Sequence, residues 1–215
     1  MSFNYSPKIV NDSSLVLYLD AANNKSYVSG STTWNDISRA GNTGTLLNGP
    51  TYNSLNGGSI VFDGVNSYVT SSLTVSTLLP LWTAEVWLNT SSSAAYQEIF
   101  GGPYSATVAS LYLKGSLFGI YTSGDHFGSV NISLNTWYHL AIVLDSAANT
   151  LKSYINGILD INTSYGTGVN FNTGYVISKN PFNSTEKFSG KMSTIRLYNR
   201  ALSSSEILQN YTAHK

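Results

Sequence analysis

Apolar residues recur at every second position through most of this chain, the period of a half-buried β-strand. SSLVLYLDA places Leu15, Leu17 and Leu19 on one face. SIVF and SYVTS flank a turn at Asp63-Gly64-Val65-Asn66. TAEVWLNT puts Ala84, Val86 and Leu88 on one side, and Glu85 and Trp87 on the other. SLYLKGSLFGIYTS reads as a hairpin around Lys114-Gly115-Ser116. WYHLAIVLDSAANTLKSYINGILDI is a second hairpin, turning near Ser146 to Asn149. Asn156-Gly157 follows as a tight turn, where positive φ is tolerated. TGYVISK and STIRLYN add late strands. The 3.6-residue period surfaces only at the end. There Ser203-Ser-Ser-Glu206 is a capping box ahead of Ile207, Leu208 and Tyr211, and predicts a short C-terminal helix. A shorter helical turn is expected over Thr74 to Leu79, before Pro80. The pattern is that of an all-β protein, a sandwich or barrel.

Composition agrees and narrows the function classes. At 215 residues the chain is most simply one domain over residues 15–215, preceded by an N-terminal arm over 1–14. That arm either pairs with a neighbour or frays. Charged residues make up only 10%, far below the usual quarter, and Ser, Thr, Asn, Gly and Tyr take their place. The net charge is zero and the eleven Lys and Arg are scattered, which argues against nucleic acid as a partner. There is no Cys, so disulfides, thiolate nucleophiles and zinc–cysteine sites are excluded. MSFNYSPKIVNDSS lacks the apolar core of a signal peptide, and no run of eighteen apolar residues predicts membrane insertion. The Asn-x-Ser/Thr triplets at Asn89 and Asn183 reflect composition.

Several pieces, in order, carry a resemblance. They are LVLYLDAAN (15–23), TTWNDIS (32–38), GGSIVFDGVNSYV (57–69), AEVWLN (84–89), WYHLAIVLD (137–145) with YINGILD (154–160), and FSGKMSTIRLYNRALSSSEI (188–207). Together they resemble the laminin-G-like, concanavalin A-like lectin/glucanase superfamily. The resemblance implies a jelly roll of two antiparallel sheets, one of them concave, with ligands on the concave face or at the rim loops. That fold hosts lectins, adhesion modules, glycosidases and structural proteins, so function has to come from the site. The LVLYLDAAN and GGSIVFDGVN phrasing also resembles stand-alone domains of tailed bacteriophages. This implies a virion-surface decoration or fibre protein, partnered by other virion proteins or by itself.

Catalysis is not expected. A retaining glycosidase needs two carboxyl groups about 5 Å apart. The four Glu are Glu85, Glu98, Glu186 and Glu206, and none has an acidic neighbour two or four residues on. Glu85 is expected on a half-wet face beside Trp87, and His139 as a structural histidine. Trp34, Trp82, Trp87 and Trp137 fit core packing. No Gly-x-Ser-x-Gly elbow is present.

Two binding chemistries remain. Calcium takes six to eight oxygens. Asp63 with Asp20 is the candidate pair, and Asp36 a further carboxylate. The competing reading is a turn in which Asp63 caps backbone amides. It is favoured because Ser67 stands where the related pattern commonly has a second acid, so no cofactor is expected. Cell-surface glycans are the other possibility, since sugars pack on aromatic faces and hydrogen-bond to amides and carboxylates. The candidates are Tyr104, Tyr121, Asp125, His126, Phe127 and Asn66, with Tyr96, Tyr165, Asn170 and Asn183 on further loops.

Overall fold

The computed structural model describes residues 8–71, 73, 81–101, 110–122, 124–164, 175–181, 183 and 185–214. The first half forms β1 (Leu15–Asp20), β2 (Thr33–Trp34), β3 (Gly44–Leu47), β4 (Thr51–Asn53), one 3-10 turn (Leu55–Gly57), β5 (Ser59–Asp63), β6 (Tyr68–Ser71), β7 (Leu81–Thr90) and β8 (Gln97–Gly101). The second half adds β9 (Ser110–Lys114), β10 (Leu117–Tyr121), β11 (Asp125–Asn131), β12 (Trp137–Asp145), β13 (Thr150–Ile155), β14 (Ile158–Thr163), β15 (Val176–Ile177), β16 (Ser189–Tyr198) and the helix α1 (Ser204–Thr212). The helical turn expected over Thr74 to Leu79 lies outside the described residues.

Two antiparallel sheets result. Sheet A runs β14-β13-β12-β7-β16-β5-β4, and β1 also pairs with β16. Sheet B runs β11-β10-β9-β8-β15-β6-β3-β2. The period-2 pattern decides their inner faces. Leu17, Leu19, Ala84, Val86, Leu88, Leu140 and Ile142 of sheet A meet Leu46, Val69, Phe100, Leu111, Leu113, Phe118 and Ile120 of sheet B in one core. Each Leu, Ile, Val or Phe among them contributes about 1.5–3 kcal/mol by leaving water. The turn at Asn156-Gly157 has the expected positive φ at both residues, 53° and 77°. No helix among the described residues is long and apolar enough to cross a membrane.

A second, smaller core lies on the outer face of sheet A. Ile207 of α1 and Val10 pack there on Leu15, Ala141, Val143, Tyr154, Tyr198 and Leu202. Leu15 was expected beside Leu17 and Leu19. Instead it joins this outer cluster, because the β1–β16 register slips between Leu15 and Leu17. The N-terminal segment docks against the chain's own helix. Val10 N donates to Asn210 Oδ1 at 2.7 Å, and Tyr198 OH donates to Val10 O at 3.0 Å. Gln209 Nε2 also donates to Lys8 O at 2.6 Å.

Two further expectations are corrected. The sequence suggests a loop for the stretch holding Asp125, His126 and Phe127, but it is the edge strand β11. Its residues are half or fully exposed, so no apolar alternation marks it. Trp137 was expected in the core. It is only partly buried, at the start of β12.

Candidate functional site

The outer face of sheet A carries a buried polar network next to an open pocket. Glu85 on β7 lies opposite Ala141 and Arg196. Arg196 Nε donates to Glu85 Oε2 at 2.9 Å, and Asn210 Nδ2 of α1 donates to both carboxylate oxygens at 3.0 and 3.1 Å. Glu85 is 2% exposed, not half-wet as its sequence position suggested, because α1 covers it. Burial pushes its carboxyl up, but Arg196, His139 and Asn210 together outweigh this and hold the group below the ordinary range. His139 Nε2 is 3.7 Å from Glu85, too far for a hydrogen bond. Burial pushes the His139 imidazole down, so it is neutral at neutral pH.

Beyond this network the surface opens into a pocket of about 460 Å³, lined by Asp20, Ala22, Asn56, Trp87, Trp137, Asn156, Ser193, Thr194, Tyr211 and His214. Each wall has a local cause. Asp20 ends β1 opposite Thr194. Trp87 faces the same way as Glu85, on the period-2 alternation, and lies opposite His139 and Thr194. Asn156 is tied to β12, where its Oδ1 accepts from His139 N at 2.9 Å and its N donates to His139 O at 2.8 Å. Tyr211 comes from the last turn of α1 and stacks on Trp87, with ring centroids 5.7 Å apart and planes 16° apart. Gly157 permits that approach, since a Cβ there would stand 2.9 Å from Leu208 Cδ1.

Asp20 is 7% exposed. Its Oδ1 accepts from Ala22 N at 3.0 Å, and its Oδ2 accepts from Tyr18 OH at 3.1 Å. Burial raises its carboxyl above the ordinary value. His214 Nε2 lies 4.0 Å from Asp20 Oδ2. Burial and the nearby Arg196 push that imidazole down to about 4, so it is uncharged at neutral pH. Trp87 Nε1 is buried and has no hydrogen-bond partner.

The two candidate calcium carboxylates are not brought together. Both β1 and β5 pair with β16, but Asp20 lies opposite Thr194 and Asp63 opposite Ser189. Five residues of strand span about 16 Å. The Asp63 carboxylate is engaged in its own turn. Its Oδ1 accepts from Val65 N at 2.8 Å, from Asn66 N and Ser67 N at 3.0 Å, and from Ser67 Oγ at 2.8 Å. These donors outweigh its partial burial and hold it far below the ordinary carboxylate range. Asp36 is likewise occupied by the amides of Tyr18, Ser38 and Asn42. Among the described residues no group of three or more His, Cys, Asp or Glu is placed to hold a metal ion.

The glycan candidates divide. Tyr121, Asp125 and Phe127 share the outer face of sheet B, and the register places Tyr112 on the same side. Tyr112 OH donates to Asp125 Oδ1 at 2.5 Å, and Lys114 Nζ donates to Oδ2 at 3.1 Å, so this carboxylate is already paired. His126 pairs with Ile120 and falls on the opposite face of the edge strand. Asn66 lies in the Asp63 turn before β6, four strands from β10. Tyr104, Tyr165 and Asn170 lie outside the described residues.

Residues 62–208 match the sequence profile described as the concanavalin A-like lectin/glucanases superfamily. The chain belongs to that superfamily. No curated protein matches its sequence. Solved structures do. One is domain 4 of AbnA, a GH43 extracellular arabinanase from Geobacillus stearothermophilus, in complex with arabinotriose. It is 18% identical, with 92% of this chain and 98% of that one covered at a TM-score of 0.72. A second is the botulinum neurotoxin type G receptor binding domain, at 18% identity, 93% and 51% coverage and a TM-score of 0.71. A third is a botulinum neurotoxin type C structure whose cell entry depends on interaction with two ganglioside molecules, at 11% identity, 94% and 51% coverage and a TM-score of 0.71. The chain spans about half of each toxin structure. At such identities the likeness establishes the fold.

Sequence reasoning missed most of this pocket. It took Trp87 and Trp137 for packing residues, and it named Asp20 for a metal. The overlooked signal is the order Trp87, Trp137 and Tyr211. Two of these sit on adjacent strands, and the third sits on the segment with the capping box.

Proposed function

We propose that this protein is a non-catalytic glycan-binding module, and that its sugar site is the pocket walled by Trp87, Trp137 and Tyr211. One observation carries the reading. A concavity of about 460 Å³ combines three aromatic side chains with the amides Asn56 and Asn156 and the carboxyl of Asp20. Sugars need apolar faces for their C–H surfaces and polar groups at the edges to fix hydroxyls, and this site offers both. The arabinotriose-bound and ganglioside-linked neighbours support the same reading by analogy of fold. Hydrolysis is disfavoured by the acids at hand. Among the described residues lining the pocket, Asp20 is the sole carboxyl, and Glu85 is committed to Arg196.

The setting we propose is the outer surface of a particle, as in tailed-phage virions, where the module decorates the shell and offers weak adhesion. The sequence phrasing supports this, and co-sedimentation with a far larger assembly tests it. The binding claim is tested on an oligosaccharide array, followed by titration of the best hit. We expect Trp137→Ala to weaken that hit by about tenfold or more, a loss of about 1.4 kcal/mol, with the fold retained. Binding insensitive to both Trp137→Ala and Tyr211→Ala, or no binding at millimolar protein, overturns the reading.

A further inference from the structure

The charge state of the pocket narrows the ligand further, on the reading just given that the pocket is a sugar site. Asp20 is nearly buried there, and the groups that donate to it, the backbone of Ala22 and Asn23 and the Tyr18 hydroxyl, are all neutral. The basic group within 4.0 Å, His214, is uncharged at neutral pH. Arg196 lies nearby and its Nη1 is 3.2 Å from His214 Nδ1, but its ion partner is Glu85, whose Oε2 is 2.9 Å from Arg196 Nε. A carboxylate with no ion partner of its own therefore meets the walls of Trp87, Trp137 and Tyr211. The faces of such rings carry the negative end of their quadrupole and attract cations. A buried carboxylate that lacks a counter-charge gains most from a ligand that supplies one.

We infer that the pocket selects a sugar bearing a protonated amine, with the ammonium seated between Asp20 and the aromatic walls. Asn56, Asn156, Ser193 and Thr194 line the same pocket and put amide and hydroxyl groups beside the ring hydroxyls of such a ligand. Trp87 also holds a buried indole N–H without an acceptor, which suits a ligand oxygen.

The test titrates three probes into the whole protein. They are a glucosamine tetramer, its fully N-acetylated counterpart and choline, followed by tryptophan fluorescence. The free-amine tetramer is expected to bind about tenfold tighter than the acetylated one, which corresponds to about 1.4 kcal/mol. In Asp20→Asn that ratio is expected to fall towards one. Rising salt should erode the preference as well, and this readout needs no variant to fold. Equal or tighter binding of the acetylated tetramer overturns the inference, and it leaves the glycan reading standing. Choline binding as tightly as the amine tetramer overturns it too, because charge alone would then suffice. If neither tetramer binds while array glycans do, only the amine inference falls. If no glycan binds at all, both fall.

Discussion

Glu98 and Glu85 sit on strands of opposite sheets, both nearly inaccessible, and their environments drive them in opposite directions. Glu85 has a guanidinium and an amide on its oxygens, so it stays charged. Glu98 is 1% exposed on β8 and accepts a hydrogen bond from Ser110 Oγ. Burial pushes its carboxyl up to about 8, Ser110 partly opposes this, and the charge of Glu186 adds to the rise. A raised folded value means the unfolded chain ionises first. Stability from this group is therefore full below its ordinary value of 4.5 and declines as pH climbs towards about 8. Glu98→Gln should remove that decline. The melting temperature of the variant relative to the parent is expected to rise between pH 5 and pH 8, and a constant difference would refute the assignment. Glu85→Gln should do the reverse of a conservative change. It leaves Arg196 buried without its counter-charge and is expected to cost about 3–5 kcal/mol in denaturant unfolding. A loss under 1 kcal/mol would mean the pair is solvated. From the sequence alone Trp137 fits a core position. Partly buried in a pocket wall, it should cost less than the about 3–5 kcal/mol of a fully buried tryptophan when cut to Ala, and act on binding instead.

At the scale of elements, α1 joins the fold to the site. Its capping box is formed as expected, with Glu206 N donating to Ser203 Oγ at 3.3 Å and Ser203 N donating to Glu206 Oε2 at 2.8 Å. Arg200 bridges Glu206 at 2.6 Å and Asp12 at 2.9 Å, which ties the helix start to the N-terminal segment. Ser203→Ala should therefore cost about 1 kcal/mol. Because α1 also supplies Tyr211 and His214, the loosened variant is expected to bind glycan more weakly, although it touches no lining residue. Unchanged affinity would show that the pocket does not depend on helix order. The long strands and this helix were legible in the sequence, since period-2 runs and a capping box are local signals. Strands β2, β3, β4, β8 and β11 were not. They are two to five residues long or, like β11, half to fully exposed, so no sustained apolar alternation marks them. The Asp63 turn was legible in its chemistry, because Asp-Gly followed by Asn and Ser offers the amides that the carboxylate accepts.

At the scale of the molecule, the sandwich brings together residues that no local pattern relates. Asp20, Trp87, Trp137, Asn156 and Tyr211 come from β1, β7, β12, the β13–β14 turn and α1, and they meet only once sheet A and its helix are assembled. Composition could suggest an aromatic, amide-rich surface, but not which aromatics face outward. The period-2 rule placed Trp87 opposite the core, yet covering by α1 decides whether that face is a pocket or a second core. The four tryptophans divide accordingly. Trp34 and Trp82 are buried in the sandwich, and Trp87 and Trp137 line the pocket. Nuclear magnetic resonance of the indole N–H signals during titration with the best array glycan therefore tests the central claim directly. The signals of Trp87 and Trp137 should shift with ligand while those of Trp34 and Trp82 stay in place. Shifts confined to other residues, or none at saturating glycan, would contradict the pocket as the binding site.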